Sequence, residues 1–410
     1  GNQYEEDIVL QNILKRILPT KVMQEIEPDL RNLGHRAVTD LSKMAENVED
    51  PNNYPRLKQY DEWCRRVDEI SVAQGWKELN DVAAEEGLVS IAFERVYGEH
   101  SRVYQFAKSY LYSPSSAVYS CPLSMTDGGA RVIELHGTEK MKKEYLPRLI
   151  SRDPKVFWTS AQWMTERPGG SDVSRTETQA ELIDPATNKW RISGFKWFSS
   201  ATTADMTMLL ARTIDPKTGL GSAGLSLFIA EMRKPDGQLN GVRVHRLKNK
   251  FGTKGLPTAE LEIDGMEAYL IGEVGRGVAT IASILNITRL YAGLGVMSGL
   301  RRSLAIAKSY ALKRQSGKQT LNKIPLHITT LARLELIFRA GTQICFYAIQ
   351  LLGRTEALPE NDPQRKEDEI MLRLLTPICK AYVCKIGVNG ISEAMEALGG
   401  QVRMIVFIIE

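Results

Sequence analysis

The segment MTERPGGSDV, Met164 to Val173, sets two adjacent glycines, Gly169 and Gly170, before Ser171 and Asp172. Glycine lets backbone N–H groups approach an anion closely, and a serine hydroxyl adds a further donor, so Gly170 and Ser171 could cradle a phosphate. The same residues also suit an ordinary Gly-Gly turn between strands, and on this segment alone the two readings stand level. Downstream, in GFKWFSSAT, Trp197 and Ser199 alternate with Phe198. On a strand those two would share one face, as a bound-ring contact or as a core tryptophan beside a surface serine. Near the end of the sequence, EALGG places Glu396, Gly399 and Gly400 where a long helical pattern stops. A left-handed glycine cap is the plain reading there.

The elements that must position these residues follow from periodicity. Residues 1–154 read as helical. SSAVYSCPLSMTDGGARVIELHG is closed by Gly137, and Thr138 opens TEKMKKEYLPRLIS with an acid in its first turn. Over 155–269 the period falls to two, and WRISGFKWFSS, MTMLLARTI, LSLFIAEM, VRVHRL and AELEIDGM alternate with turn clusters such as DPATNK and KPDG. Over 270–400 three long apolar-periodic segments imply a bundle, the third with Pro377 inside it. Residues 401–410, QVRMIVFIIE, form an atypical apolar tail. The expected class is α+β, with an N-terminal helical domain, a middle β-barrel or sandwich and a C-terminal long-helix bundle.

Composition bounds the partners. Of 410 residues, 43% are hydrophobic and 25% charged, ordinary for a globular chain, and the net charge of +4 is too small to argue for nucleic acid. From Tyr269 onward, however, 18 Lys+Arg face 11 Asp+Glu, leaving +7 there and −3 before it. That basic half suits a solvated helical face or a partner surface. Five cysteines form no metal spacing and no disulfide framework, which suits a reducing compartment. No signal peptide, Arg-rich presequence or long apolar span is recognised, so the expected setting is intracellular, cytoplasmic before mitochondrial or peroxisomal, with no membrane.

Taken in order, MTERPGGSDV, GFKWFSSAT and EALGG resemble the signatures of the acyl-CoA dehydrogenase family of flavoproteins. Those signatures are M/V-T-E-P-x-x-G-S-D, G-x-K-x-W-I-T/S-N and Q/E-x-x-G-G. The resemblance runs from about Ala117 to Gly400 and is most like the adaptive-response, AidB-type branch. It implies FAD as cofactor. Gly170 and Ser171 would meet the pyrophosphate, Met164 and Thr165 would line the isoalloxazine, and Gln162 sits where many relatives carry an aromatic. Trp197 and Ser199 would supply the aromatic against the flavin and the hydroxyl near its reactive nitrogen. Glu396, Gly399 and Gly400 would contact the diphosphate and adenosine side of a neighbouring subunit's FAD, which implies a homodimer or homotetramer. Arg289 lies on the helix that faces the family's substrate cavity, and a solvated position is the alternative. One departure stands out: relatives carry R-x-x-F-G between the first two long helices, where this chain has Lys313 and Ser316 in KRQSG, with Arg314 or Lys318 as substitutes.

The implied reaction removes the α-proton of an acyl-CoA thioester while the β-hydrogen leaves as hydride to the flavin, and it needs a carboxylate base. Relatives place a glutamate in a W/Y-E-G motif after the Gly-Gly segment or on the NITRL helix. Here the tail lacks that motif, the helix position is Thr288, and Glu410 is a poor candidate for a positioned base, so no catalytic residue is assigned. Two functions therefore compete: a CH-CH oxidoreductase impaired in this form, and a flavin-binding protein with weak dehydrogenase activity acting through DNA or another partner.

Overall fold

The computed structural model describes residues 1–213 and 224–400. By packing, the chain forms two compact units. One joins Asn47–Ser90 to Cys121–Ile287, and the other joins Gly1–Glu46 and Ile91–Ser120 to the chain from Thr288 onward. The first 154 residues are thus divided between both units, a partition that local periodicity does not reveal.

In the β-containing unit, hydrogen bonding closes a barrel. Met206–Thr213 pairs with Gln179–Asp184, then in turn come Lys189–Ser200, Thr258–Ile271 and Leu225–Glu231, which pairs back to Met206–Thr213. Ser160–Trp163 runs parallel to Met206–Thr213, and Val242–Leu247 pairs with Thr258–Ile271. The alternation that marks these strands in sequence buries Trp190, Ile192, Leu261 and Ile263, with the Trp190 ring edge-on to Phe228 at 5.3 Å. One element inside the expected helical region is β: Arg56–Tyr60 and Arg66–Ser71 form a hairpin whose Gln59 and Arg66 donate to the Val244 carbonyl. Its strands carry charges at most outward positions, so the period-two signal is weak there.

The other unit is helical. The long helices Gly277–Lys313 and Pro325–Ala357 have 37 and 33 residues, roughly 55 and 50 Å at 1.5 Å per residue. The expected third helix is broken in a way the sequence hints at. Pro377 sits in the last turn of Pro363–Ile378, a π-type turn follows over Cys379–Val383, and Cys384–Glu396 continues. A proline removes one helical hydrogen bond, and the wider turn absorbs the misfit. Both long helices reach the length and mean hydropathy (1.2) of a membrane span, which corrects the sequence reading that no such span exists. Half of each apolar stretch (50% and 56%) is buried within the protein, as bundle-core helices require.

Two contacts fix this unit. Arg102 donates to both carboxylate oxygens of Glu356 at 2.7 and 2.9 Å, with both side chains almost fully buried. Just before it, a Cβ on Gly353 would lie 2.1 Å from the Glu99 carbonyl oxygen, so the helix Pro325–Ala357 approaches a neighbouring backbone too closely for any side chain. In an open helix Gly→Ala stabilises by about 1 kcal/mol. At position 353 the sign should reverse, and Gly353→Ala should lose about 1–3 kcal/mol in a urea titration, the usual cost of overpacking. A gain in stability would show that the close approach is not real.

Candidate functional site

The Gly-rich loop is held by a buried ion pair. Glu166 and Gly169 exchange backbone hydrogen bonds at 3.1 and 3.2 Å, closing a tight turn. The Glu166 carboxylate accepts from Lys196 Nζ (2.7 Å), from the Thr178 hydroxyl (2.6 Å) and from the Glu177 N–H (2.6 Å). Lys196 is fully buried and donates also to the Leu210 carbonyl at 2.8 Å. The Trp197 N–H donates to the Thr165 carbonyl at 2.9 Å, so loop and strand are joined on both sides of the pair. Burial alone would raise the Glu166 carboxyl. The Lys196 charge and the three donors outweigh it and hold the pKa below the ordinary value, and we take the pair as charged.

The two glycines have different tasks. A Cβ on Gly169 would lie 2.2 Å from the Asp172 carbonyl oxygen, so this position makes the turn itself. Gly170, Ser171 and Asp172 are exposed, and among the described residues the N–H groups of Gly170 and Ser171 meet no protein acceptor. A Cβ at Gly170 would press on the Thr165 side chain at 3.0 Å. The turn reading is borne out, and the turn leaves two adjacent amides and a hydroxyl exposed, the donors an anion would need. Gln162, Met164 and Thr165 precede the turn on the same stretch, all half-buried. The buried Gln162 Nε2 has no hydrogen-bond partner. An unpaired buried donor is uncommon, and a polar-edged ring with acceptor atoms would satisfy it.

The strand behind the loop corrects the sequence reading. Its pairing shifts by one residue between Lys196 and Ser199: Lys196 faces Leu261 and Ser199 faces Ala259, so Trp197 and Phe198 stand opposite a single residue. This β-bulge resets the alternation. Lys196 and Ser199 share the buried face, while Trp197 and Phe198 lie on the other, so Trp197 and Ser199 do not share a face. The Trp197 ring is already engaged by Lys248 at 3.1 Å and Arg167 at 4.9 Å. Phe198, 44% exposed, is the open aromatic, and Ser200 follows it on the same side with its hydroxyl 3.0 Å from that of Thr258. Counting the G-x-K-x-W-I-T/S pattern from Gly194 and Lys196 gives Phe198 and Ser200 as well.

The remaining expected residues belong to the helical unit. Glu396, Gly399 and Gly400 line a cavity of about 450 Å³ with Tyr310, Arg314, Gln315, Ser316 and His327. Gly399 has φ +63°, the left-handed cap expected on plain grounds, and a Cβ on Gly399 or Gly400 would meet nothing within 4 Å. Of the cations near the altered KRQSG segment, Arg314 is the one that lines the cavity, brought there by a small hairpin in which Gly317 takes φ +65°. The buried His327 Nε2, a residue the sequence did not single out, has no hydrogen-bond partner. Arg289 is half-buried on the long helix Gly277–Lys313 and engaged in a contact. The tail with Glu410 lies outside the described residues.

Comparison with known proteins agrees with this fold. Residues 1–154 match the adaptive response protein AidB N-terminal domain, 161–266 the acyl-CoA dehydrogenase middle domain and 275–404 the acyl-CoA dehydrogenase C-terminal domain. The crystal structure of Caenorhabditis elegans ACDH-11 in complex with C11-CoA superposes with a TM-score of 0.94 at 41% identity, over 100% of this chain and 70% of that one. The chain belongs to the acyl-CoA dehydrogenase family. Within this family, whose cofactor is FAD, it falls in the AidB-like branch. Acyl-CoA dehydrogenase family member 11 of C. elegans is 42% identical over 98% of the chain, and the AidB protein of Escherichia coli 28% over 90%. The chain spans 65% and 66% of the length of these two relatives.

Glu166→Gln should cost about 3–5 kcal/mol at pH 7, because it leaves the Lys196 ammonium buried without a counter-charge. Glu166 has a depressed folded pKa, so its contribution is full above the unfolded value of roughly 4.3 and is lost as pH falls through the folded one. The stability gap between wild type and variant, followed by urea denaturation, should therefore narrow below about pH 4.3. A gap that stays constant down to pH 3.5 would mean the pair is not ionic.

Proposed function

We propose that this chain binds FAD and an acyl-CoA thioester as part of an AidB-like acyl-CoA dehydrogenase, an oxidoreductase acting on CH-CH groups. The observation that carries the reading is the loop pinned by Glu166 and Lys196, which leaves the amides of Gly170 and Ser171 exposed and joins the loop to the strand that carries the open aromatic Phe198. Gly170 and Ser171 would hold the pyrophosphate. Gln162, Met164 and Thr165 would line the ring, with Phe198 against it and the Ser200 hydroxyl toward its polar centre. Bound FAD would supply the hydride acceptor for α,β-dehydrogenation. Arg314, Glu396, Gly399 and Gly400 would serve the diphosphate and adenosine side of the FAD of a second subunit, which makes the assembly at least a dimer. Support for the thioester comes from the C11-CoA bound by the ACDH-11 relative. The family's glutamate base has no counterpart at Thr288, and we assign no base within residues 1–400.

The basic half of the sequence lends only partial support to a role acting chiefly through DNA. Several of its cations are tied to carboxylates: Arg301 to Asp7, Lys308 and Arg339 to Glu335, Arg354 to Asp368 and Arg365 to Glu369. Charges neutralised in this way release few counterions on binding a phosphate backbone.

The folded protein incubated with FAD should retain it through gel filtration and release it on heating. Ser171→Glu, which sets a carboxylate against the phosphate, should weaken retention at least tenfold, about 1.4 kcal/mol. Anaerobic titration of the 410-residue chain with saturated acyl-CoAs should perturb the flavin band but bleach it slowly or not at all. A heat supernatant without flavin would overturn the reading.

A further inference from the structure

Lys250 stands outside everything assigned so far. It lies in the loop KNKFGTKGLP between Val242–Leu247 and Thr258–Ile271, half-buried, and its ammonium donates to the Leu256 carbonyl at 2.8 Å and to the Thr258 hydroxyl at 3.0 Å. Thr258 pairs with Ser200 across the two strands, and their hydroxyl oxygens are 3.0 Å apart. One hydrogen-bonded chain therefore runs from an ammonium through the buried Thr258 hydroxyl to Ser200, beside the open Phe198 ring.

Both partners of the Lys250 ammonium are neutral oxygens. Its neighbour Lys248 is held by Glu260 at 2.7 Å, and Glu260 accepts from Arg246 as well. A half-buried charge bonded to neutral groups keeps its field, whereas the Lys248 field is largely cancelled. A hydroxyl has one proton and two lone pairs. With Lys250 donating to Thr258, the Thr258 proton can pass to Ser200, and the Ser200 proton is then free to point out of the strand. A loop staple alone would need only the Leu256 carbonyl.

We propose that Lys250 is a positioning residue for the Ser200 hydroxyl, acting through Thr258 to turn the Ser200 O–H outward and placing a positive charge behind it. The proposal rests on the FAD reading of that face. Negative charge gained by the ring on reduction would be stabilised by this arrangement, so the ammonium should raise the flavin midpoint potential. Burial draws Lys250 down to about 8, opposed by the Cys121 thiol of the helix Ser120–His136, the titratable group set against it. Along its own loop the nearest charges are Lys248 and Lys254, and on the adjoining strand Glu260, already bound to Lys248 and Arg246. Lys250 is charged below that pH, so the effect should be full at pH 7 and lost by pH 9.5.

The test uses the FAD-loaded chain, with flavin content measured first and midpoint potential by dye equilibration at pH 7 and 9.5. At pH 7, Lys250→Met should show about a tenfold lower ratio of reduced to oxidised flavin at a fixed potential, about 30 mV for a two-electron couple. Lys250→Arg should match wild type at pH 7 and lie above it at pH 9.5, because arginine stays charged. Cys121→Ser, which keeps the ammonium, should follow wild type at both. If Lys250→Met does not fold, the crossover between wild type and Lys250→Arg carries the same information. Equal potentials for all variants that hold FAD, or a gap unchanged at pH 9.5, would overturn the proposal while leaving the FAD reading intact. A wild-type protein without flavin would overturn both.

Discussion

The candidate site depends on one buried charge pair. A carboxylate and an ammonium enclosed in a barrel wall carry a desolvation cost that only good geometry offsets. Here each member has more than one partner: Glu166 accepts from Lys196, Thr178 and the Glu177 amide, and Lys196 donates to Glu166 and the Leu210 carbonyl. The arrangement has a positional consequence. Glu166 is the first residue of the turn closed by Gly169, and Lys196 is the last regular residue before the bulge at Trp197 and Phe198. Pinning one to the other sets the exposed amides of Gly170 and Ser171 on the same rigid frame as the open Phe198 ring. A binding site built this way is organised before its ligand arrives, which lowers the ordering cost of binding.

The sequence made much of this legible. The change of period from helical to two and back marks the barrel and both long helices, because amphipathic elements must present one face to a core. The three motifs in order identify the family, and Gly399 caps its helix as a glycine after a long helical run should. What escaped follows from interactions that are not local. The hairpin Arg56–Tyr60 and Arg66–Ser71 owes its place to side chains reaching Val244, far along the chain. Glu166 and Lys196 are both inside quoted motifs, yet nothing in their spacing says that two charges will meet in the interior. The bulge is the clearest case: one extra residue, with no glycine to announce it, puts Trp197 on the same face as Phe198 and Ser200 and leaves Ser199 on the buried one.

The partition into two units also explains why the site residues fall into two groups. The barrel unit carries the loop and the aromatic, and the helical unit carries Arg314, Glu396, Gly399 and Gly400 around their own cavity. Where the family's arginine and phenylalanine are replaced by Lys313 and Ser316, Arg314, one residue along, lines that cavity. Substituting a guanidinium at a neighbouring position keeps a planar, multidentate donor for phosphate, which a lysine would not supply.

The central claim is that the cofactor lies against the Phe198 ring of the bulged strand and not against the Trp197 ring. FAD affinity of the apoprotein, measured by quenching of flavin fluorescence for Phe198→Ala and Trp197→Ala side by side, tests it most directly. Aromatic stacking on a planar ring is worth about 1–3 kcal/mol, so Phe198→Ala should weaken FAD binding roughly ten- to hundredfold. Trp197, engaged by Lys248 and Arg167, should change the affinity little when replaced. Tight binding by Phe198→Ala together with a large loss in Trp197→Ala would contradict the account.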